Sequence, residues 1–208
     1  RDMSPQNVML SYEGAVKIVD FGIAKARDRA DETRSGVIKG KFGYMSPEQA
    51  NGEQIDGRTD LFSNGIMLYE LLTGKRLFQT DNDIATLKLI QECVIPSPTK
   101  INPKITTELE KIVLKVLAKD RLVRYQSAGQ MQRALQEFLN KHYSNFTQKE
   151  FADILHNVFA AEIEVEQKRA EEINRQSIPF SQGEIDNQEE KKKNEVDSDT
   201  SNESQTKF

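Results

Sequence analysis

The sequence predicts a mainly α-helical fold that opens with a short β-hairpin. Three observations carry this. The stretch "RTDLFSNGIMLYELLTG" places Leu61, Phe62, Ile66, Met67, Leu68, Leu71 and Leu72 on nearly every face of one helix, and a helix that is apolar all round is a buried one. Three later segments open with a hydroxyl residue followed three positions on by Glu or Gln, the reciprocal capping pattern of a helix start. The β-rich runs "NVML" and "AVKIVDF" stand together near the beginning, with Glu13-Gly14 as the turn between them.

After this hairpin, residues 22–43 are rich in Arg, Asp and Gly and show no sustained period. They predict a long loop, which inside a compact domain is usually functional. The buried helix follows, with Gly74 as its stop. A helix with one main apolar face is expected near residues 82–93. "VIPSPTKINPK" then breaks the pattern, since each Pro removes a backbone donor and fixes φ. The three capped starts are Thr107 with Glu110, Ser127 with Gln130, and Thr147 with Glu150. At the third, Phe146 and Phe151 stand where a hydrophobic staple closes over the cap. Phe151, Ile154, Leu155, Val158, Phe159 and Ile163 form one apolar stripe, and that helix is expected to run to about residue 174. Residues 177–208 have too few apolar side chains to offset the entropy of ordering and predict a disordered acidic tail. Its lysine run at 191–193 is flanked by acids and reads as solvated tail.

A chain of 208 residues holds one ordinary domain plus such a tail. A net charge of −4 argues against a nucleic-acid partner, which needs a basic face. Cys93, the single cysteine, excludes an internal disulfide and fits a reducing, cytoplasmic setting. No apolar run approaches the roughly 20 residues that span a bilayer, so no membrane segment is expected. His142 and His156 have no partner cluster in sequence and read as structural.

Four motifs occur in a fixed order. Asp2 and Asn7 form "RDxxxxN"; Asp20, Phe21 and Gly22 form "DFG"; Ser46, Pro47 and Glu48 close the long loop as "SPE"; Asp60, Ser63 and Gly65 stand in "DLFSNG". Each is weak alone, and Asp2 with Asn7 alone reads as turn capping. In this order around one loop they resemble the eukaryotic-like (Hanks-type) Ser/Thr protein kinase family, with "GIAKA" and "YMSPEQA" most like its bacterial members. The resemblance covers residues 1–139.

It implies a protein-kinase-like C-lobe over 1–139, whose hairpin carries the catalytic loop and the DFG motif, then a helical extension over 140–176. It implies transfer of the ATP γ-phosphate to protein Ser/Thr hydroxyls, with ATP and Mg²⁺ as cofactors and protein substrates as partners. In that reading Asp2 handles the substrate hydroxyl proton, and Asn7 and Asp20 hold Mg²⁺. Asp60 bonds the catalytic-loop backbone. Glu48 and Arg124 form a buried ion pair. Arg1 is placed to meet a phosphate on the loop, for which Thr33 and Ser35 are candidate acceptors or else ordinary loop hydroxyls. The His expected before Arg1, the Gly-rich loop, the strand Lys and its partner Glu are not in the chain. The N-lobe of the same protein is therefore an expected partner, and this piece alone is expected to bind ATP poorly. The alternative is a pseudokinase or docking module. Small-molecule kinases of the aminoglycoside type share the Asp–Asn spacing but not "SPE" or "DLFSNG".

Two positions depart from the family. Ser4 stands where Ser/Thr kinases carry Lys, and Lys41 stands where they carry Thr after the loop Gly. In the family those two side chains meet near the γ-phosphate. Either Lys41 replaces the missing ammonium, as its flexible stem allows, or it points to solvent and the site runs without that cation.

Overall fold

The computed structural model describes residues 3–19 and 42–176. The chain divides into two compact units, residues 1–155 and 156–208. The first opens on a 3-10 turn, Pro5–Asn7. It continues as an antiparallel hairpin of β1 (Val8–Leu10) and β2 (Val16–Ile18), with Met9 opposite Lys17. Gly14 makes the turn possible with φ +77, a left-handed value that other residues adopt with strain. The Gly14 N–H donates to the Ser11 carbonyl at 2.9 Å.

Among the described residues, six α-helices follow in this unit before the boundary helix. They are α1 (Pro47–Ala50), α2 (Gly57–Thr73), α3 (Asp83–Glu92), α4 (Pro98–Ile101), α5 (Thr107–Val116) and α6 (Ala128–His142). A 3-10 turn, Phe42–Tyr44, precedes them. Three helical starts are Ser-Pro pairs: Ser4-Pro5, Ser46-Pro47 and Ser97-Pro98. A residue before Pro is pushed out of the α region, and Ser4 (φ −154, ψ 161) and Ser46 (φ −83, ψ 161) are extended. Pro then enters at the first helical position, where its missing N–H costs nothing. Within "VIPSPTKINPK", the expected break therefore contains one helical turn, α4.

The core is built around α2, which lies against α4, α5 and the 42–44 turn. Phe62 and Ile66 are fully buried, with Tyr69, Val113, Val116 and Leu117 beside them. The approach of α2 to α5 is close enough that a Cβ on Gly65 would lie 2.5 Å from Val116 Cγ1, so only glycine fits there. The helix is not buried all round, however: Leu71 is 83% exposed. The apolar count overstated burial at that one position, because Met67, Leu68 and Leu72 pack against the core while Leu71 faces water.

The caps show where local pattern and tertiary context part. Thr147 and Glu150 form the expected box, with the Glu150 N–H donating to Thr147 Oγ1 (3.3 Å) and the Thr147 N–H to Glu150 Oε2 (2.7 Å). The Phe146 and Phe151 rings stand 6.5 Å apart as its staple. At α6, Ser127 accepts from the Gln130 N–H, but the Gln130 side chain accepts from Gln126 rather than from Ser127. At α5 the cap is Thr106, not Thr107. Glu110 is drawn away to accept from Ser97 Oγ, Thr99 Oγ1 and the Thr99 N–H, which ties α4 to α5.

The helix expected to run unbroken to 174 is two helices, α7 (Gln148–Val158) and α8 (Ala160–Gln176), separated at Phe159. Of its apolar stripe, only Leu155 is buried. The tail at 177–208 lies outside the described residues. Among the described residues no helix is long and apolar enough to cross a membrane.

Candidate functional site

The 3-10 turn at the start places two of the expected site residues. Asn7 is buried, its N–H donates to the Ser4 carbonyl (3.0 Å), and its own carbonyl accepts from Val19 (2.9 Å). The hairpin register thus extends one pair past the ladder and sets Asn7 opposite Val19, the residue before Asp20 in the chain. Ser4 is 2% exposed, and its Oγ has no hydrogen-bond partner, alone among buried side-chain polar atoms of the described residues. A buried hydroxyl left unpaired costs about 1–3 kcal/mol, so this orphan marks a place where a partner fits. Arg1, Asp2, Asp20, Phe21, Gly22, Thr33, Ser35 and Lys41 lie outside the described residues.

Asp60 sits partly buried in the first turn of α2. Ser63, one turn on, donates to the Tyr44 carbonyl (2.7 Å) and so fastens α2 to the 42–44 turn. Next to it is a buried ion pair. Arg124 meets Glu48 side-on, Nη1 to Oε1 at 2.7 Å and Nη2 to Oε2 at 2.8 Å. Its remaining donors reach the carbonyls of Ala118 (2.7 Å), Lys119 (3.0 Å) and Arg58 (3.3 Å), so all five N–H groups are used. Thr59 donates to Glu48 at 2.9 Å, and the guanidinium lies 4.6 Å from the Phe62 ring centre. Burial pushes the Glu48 carboxyl up, but Arg124, the backbone and Thr59 outweigh it and hold it down at about 2. Segment 46–48, capped by the reciprocal Ser46–Gln49 bonds, is thus pinned to the region after α5.

A cluster that the sequence reading did not single out lines a cavity of about 270 Å³ beside the 42–44 turn. Glu70 accepts from the Tyr44 hydroxyl (2.7 Å), Arg76 Nη1 (3.0 Å) and the Leu77 N–H (3.2 Å). Arg76 also covers the Tyr44 ring at 5.5 Å. Burial raises the Glu70 carboxyl. Residues 44, 70 and 76 share no period, so only the fold joins them. Cys93 caps α3 in a left-handed conformation (φ 55) and its thiol is pushed up to about 11 by burial, which disfavours the thiolate at neutral pH. His142 meets Glu108 at 2.9 Å beside Lys141. Among the described residues no group of three or more His, Cys, Asp or Glu could hold a metal.

Residues 1–144 match the protein kinase domain family. The chain is 46% identical over 144 residues to the tyrosine-protein kinase MasK of Myxococcus xanthus, covering 69% of this chain and 22% of that protein. It is 42% identical over 138 residues to the serine/threonine-protein kinase PknB of Mycolicibacterium smegmatis, covering 65% and 22%. A probable PknB of Lactococcus lactis is 43% identical over 132 residues, covering 63% and 21%. The chain therefore spans about a fifth of the length of these relatives. The twitchin kinase region of C. elegans shares the fold with a TM-score of 0.50 at 22% identity, over 65% of this chain and 23% of that one.

Proposed function

The chain belongs to the protein kinase family, and from that premise we propose that the whole protein transfers the γ-phosphate of ATP to serine and threonine hydroxyls of protein substrates. The observation that carries this is the order of Asp2, Asn7, Asp20 and Glu48 along a chain similar to bacterial serine/threonine kinases. In the transfer, the acceptor oxygen bonds to the γ-phosphorus as the bond to the β,γ-bridging oxygen breaks, and Asp2 takes the hydroxyl proton. Asn7 and Asp20 offer an amide and a carboxylate oxygen, a donor set that suits Mg²⁺; the buried, backbone-pinned Asn7 fits that use. When bound, the ion neutralises charge on the phosphates.

The hairpin supports a role for the N-lobe as partner. Met9, Leu10, Val16, Ile18 and Val19 are all 42% exposed or more, and a two-stranded hairpin is marginal in water without further strands or a packed neighbour. We propose a cytoplasmic setting, where ATP is supplied.

A tyrosine acceptor is the second reading, favoured by the similarity to a protein named as a tyrosine kinase. Phosphoamino-acid analysis decides between them: the whole protein with Mg²⁺ and labelled ATP is expected to yield phosphoserine and phosphothreonine, and phosphotyrosine alone overturns the acceptor class. No transfer at all, with ATP still binding, favours the docking module.

Lys41 we assign to the ammonium that Ser4 lacks. The orphaned Ser4 hydroxyl supports this, since it accepts from any donor brought to it. Lys41→Ala in the whole protein is expected to lower kcat by about 10²-fold, and Ser4→Lys with Lys41→Thr to restore most of it. Full activity of Lys41→Ala means that Lys41 points to solvent.

A further inference from the structure

The family match ends at residue 144, before α7 begins. Yet the first turns of α7 are seated on the hairpin. The Gln148 side chain donates Nε2–H to the Glu13 carbonyl at 3.0 Å. A Cβ on Gly14 would lie 2.9 Å from the Gln148 carbonyl oxygen and 3.3 Å from the Ala152 nitrogen. Those are backbone atoms inside a helix and cannot yield. Gly14 is buried in a hairpin whose other residues are largely open, and Leu155, one further turn along the same helix face, is 7% exposed. The contact joins residues 135 apart. It grips the turn end of the hairpin, while the other end carries Asn7 opposite Val19.

We propose that α7 is a positioning helix for the proposed metal ligands, with Gln148 and Ala152 as its contact residues. The hairpin is only three residue pairs long, and a two-stranded hairpin is marginal by itself in water. Held at Gly14, it keeps Asn7 at a constant place; released, it frays and Asn7 loses its register. The segment after the family match thereby sets how well the site holds Mg²⁺. This role rests on the kinase reading of Asn7, whereas the grip itself does not.

The test separates the two. In the full chain, Gln148→Ala removes the bond to Glu13, and Ala152→Arg enlarges a half-buried side chain beside that seat without touching the hairpin sequence. Amide hydrogen exchange at Ala15 and Val19 is expected to quicken about fivefold in either variant, with α2 amides unchanged. Hairpin exchange equal to the parent's, or α2 amides quickening equally, overturns the grip. In the whole protein the same variants are expected to raise the half-saturating Mg²⁺ concentration about tenfold, the size of effect that groups supporting a metal ligand usually have. Gln148→Lys, which keeps a donor, is expected to recover part of it. Quicker hairpin exchange with an unchanged Mg²⁺ requirement overturns the positioning role. Asn7→Ala with an unchanged Mg²⁺ requirement overturns the metal-ligand reading and leaves the grip standing.

Discussion

Arg124→Met in this chain is expected to lose about 3–5 kcal/mol of folding stability, read as a fall in the urea midpoint at an unchanged slope. Methionine fills most of the volume of the arginine stem, so the loss is electrostatic rather than a cavity. The Glu48 carboxylate stays 4% exposed with only Thr59 and backbone donors to meet it. The carbonyls of Ala118, Lys119 and Arg58 lose their donor as well. Such a loss is a large share of the roughly 5–15 kcal/mol that holds a domain together. Removing both charges is expected to cost less than removing Arg124 alone, because a buried pair replaced by apolar groups is often near neutral. The double variant Glu48→Met with Arg124→Met still strands three carbonyls, so its midpoint should fall between the parent and the single variant. A double variant less stable than Arg124→Met would mean that the pair contributes little beyond its packing.

The same pair sets a pH dependence. The Glu48 carboxyl sits at about 2 in the folded chain, below its ordinary 4.5. A depressed carboxyl stabilises the fold above its unfolded pKa and loses that contribution as pH falls towards the folded value. Stability is therefore expected to decline between about pH 5 and pH 2. The parent should show this decline and Glu48→Gln should show less of it.

Legibility in the sequence followed the range of the interaction. The Thr147–Glu150 box and its Phe146–Phe151 staple were readable because every partner lies within five residues. The same rule failed at α5, where Glu110 fits a box with Thr107 but is taken by Ser97 and Thr99. Leu71 counted as core by composition, yet which side of α2 meets α5 is decided by Gly65 against Val116. A resemblance can substitute for range: only the likeness to the kinase family brought Glu48 of "SPE" and Arg124 together across 76 positions. The Tyr44–Glu70–Arg76 cluster and the seat of α7 on Gly14 belong to no motif and have no period. Neither was readable before the fold was known.

Asp2→Asn in the whole protein is expected to lower kcat by about 10²–10⁴-fold, with the KM for ATP little changed. The substitution keeps size and hydrogen-bonding reach and removes only the capacity to accept a proton. Its neighbours are tightly held. Pro5 locks its own φ and pushes Ser4 into the extended form, the 3-10 turn carries the chain to Asn7, and β1 continues without a gap into the hairpin. In the proposed function Asp2 precedes this turn by three positions and Asn7 ends it, and effective concentration depends on keeping such a pair in register. If positioning were the whole contribution of Asp2, the asparagine variant would keep most of its rate, because it keeps the position. A loss below tenfold would therefore assign the proton to solvent or to the phosphate itself. A loss in kcat accompanied by a parallel rise in the KM for ATP would instead move Asp2 from proton handling to nucleotide binding.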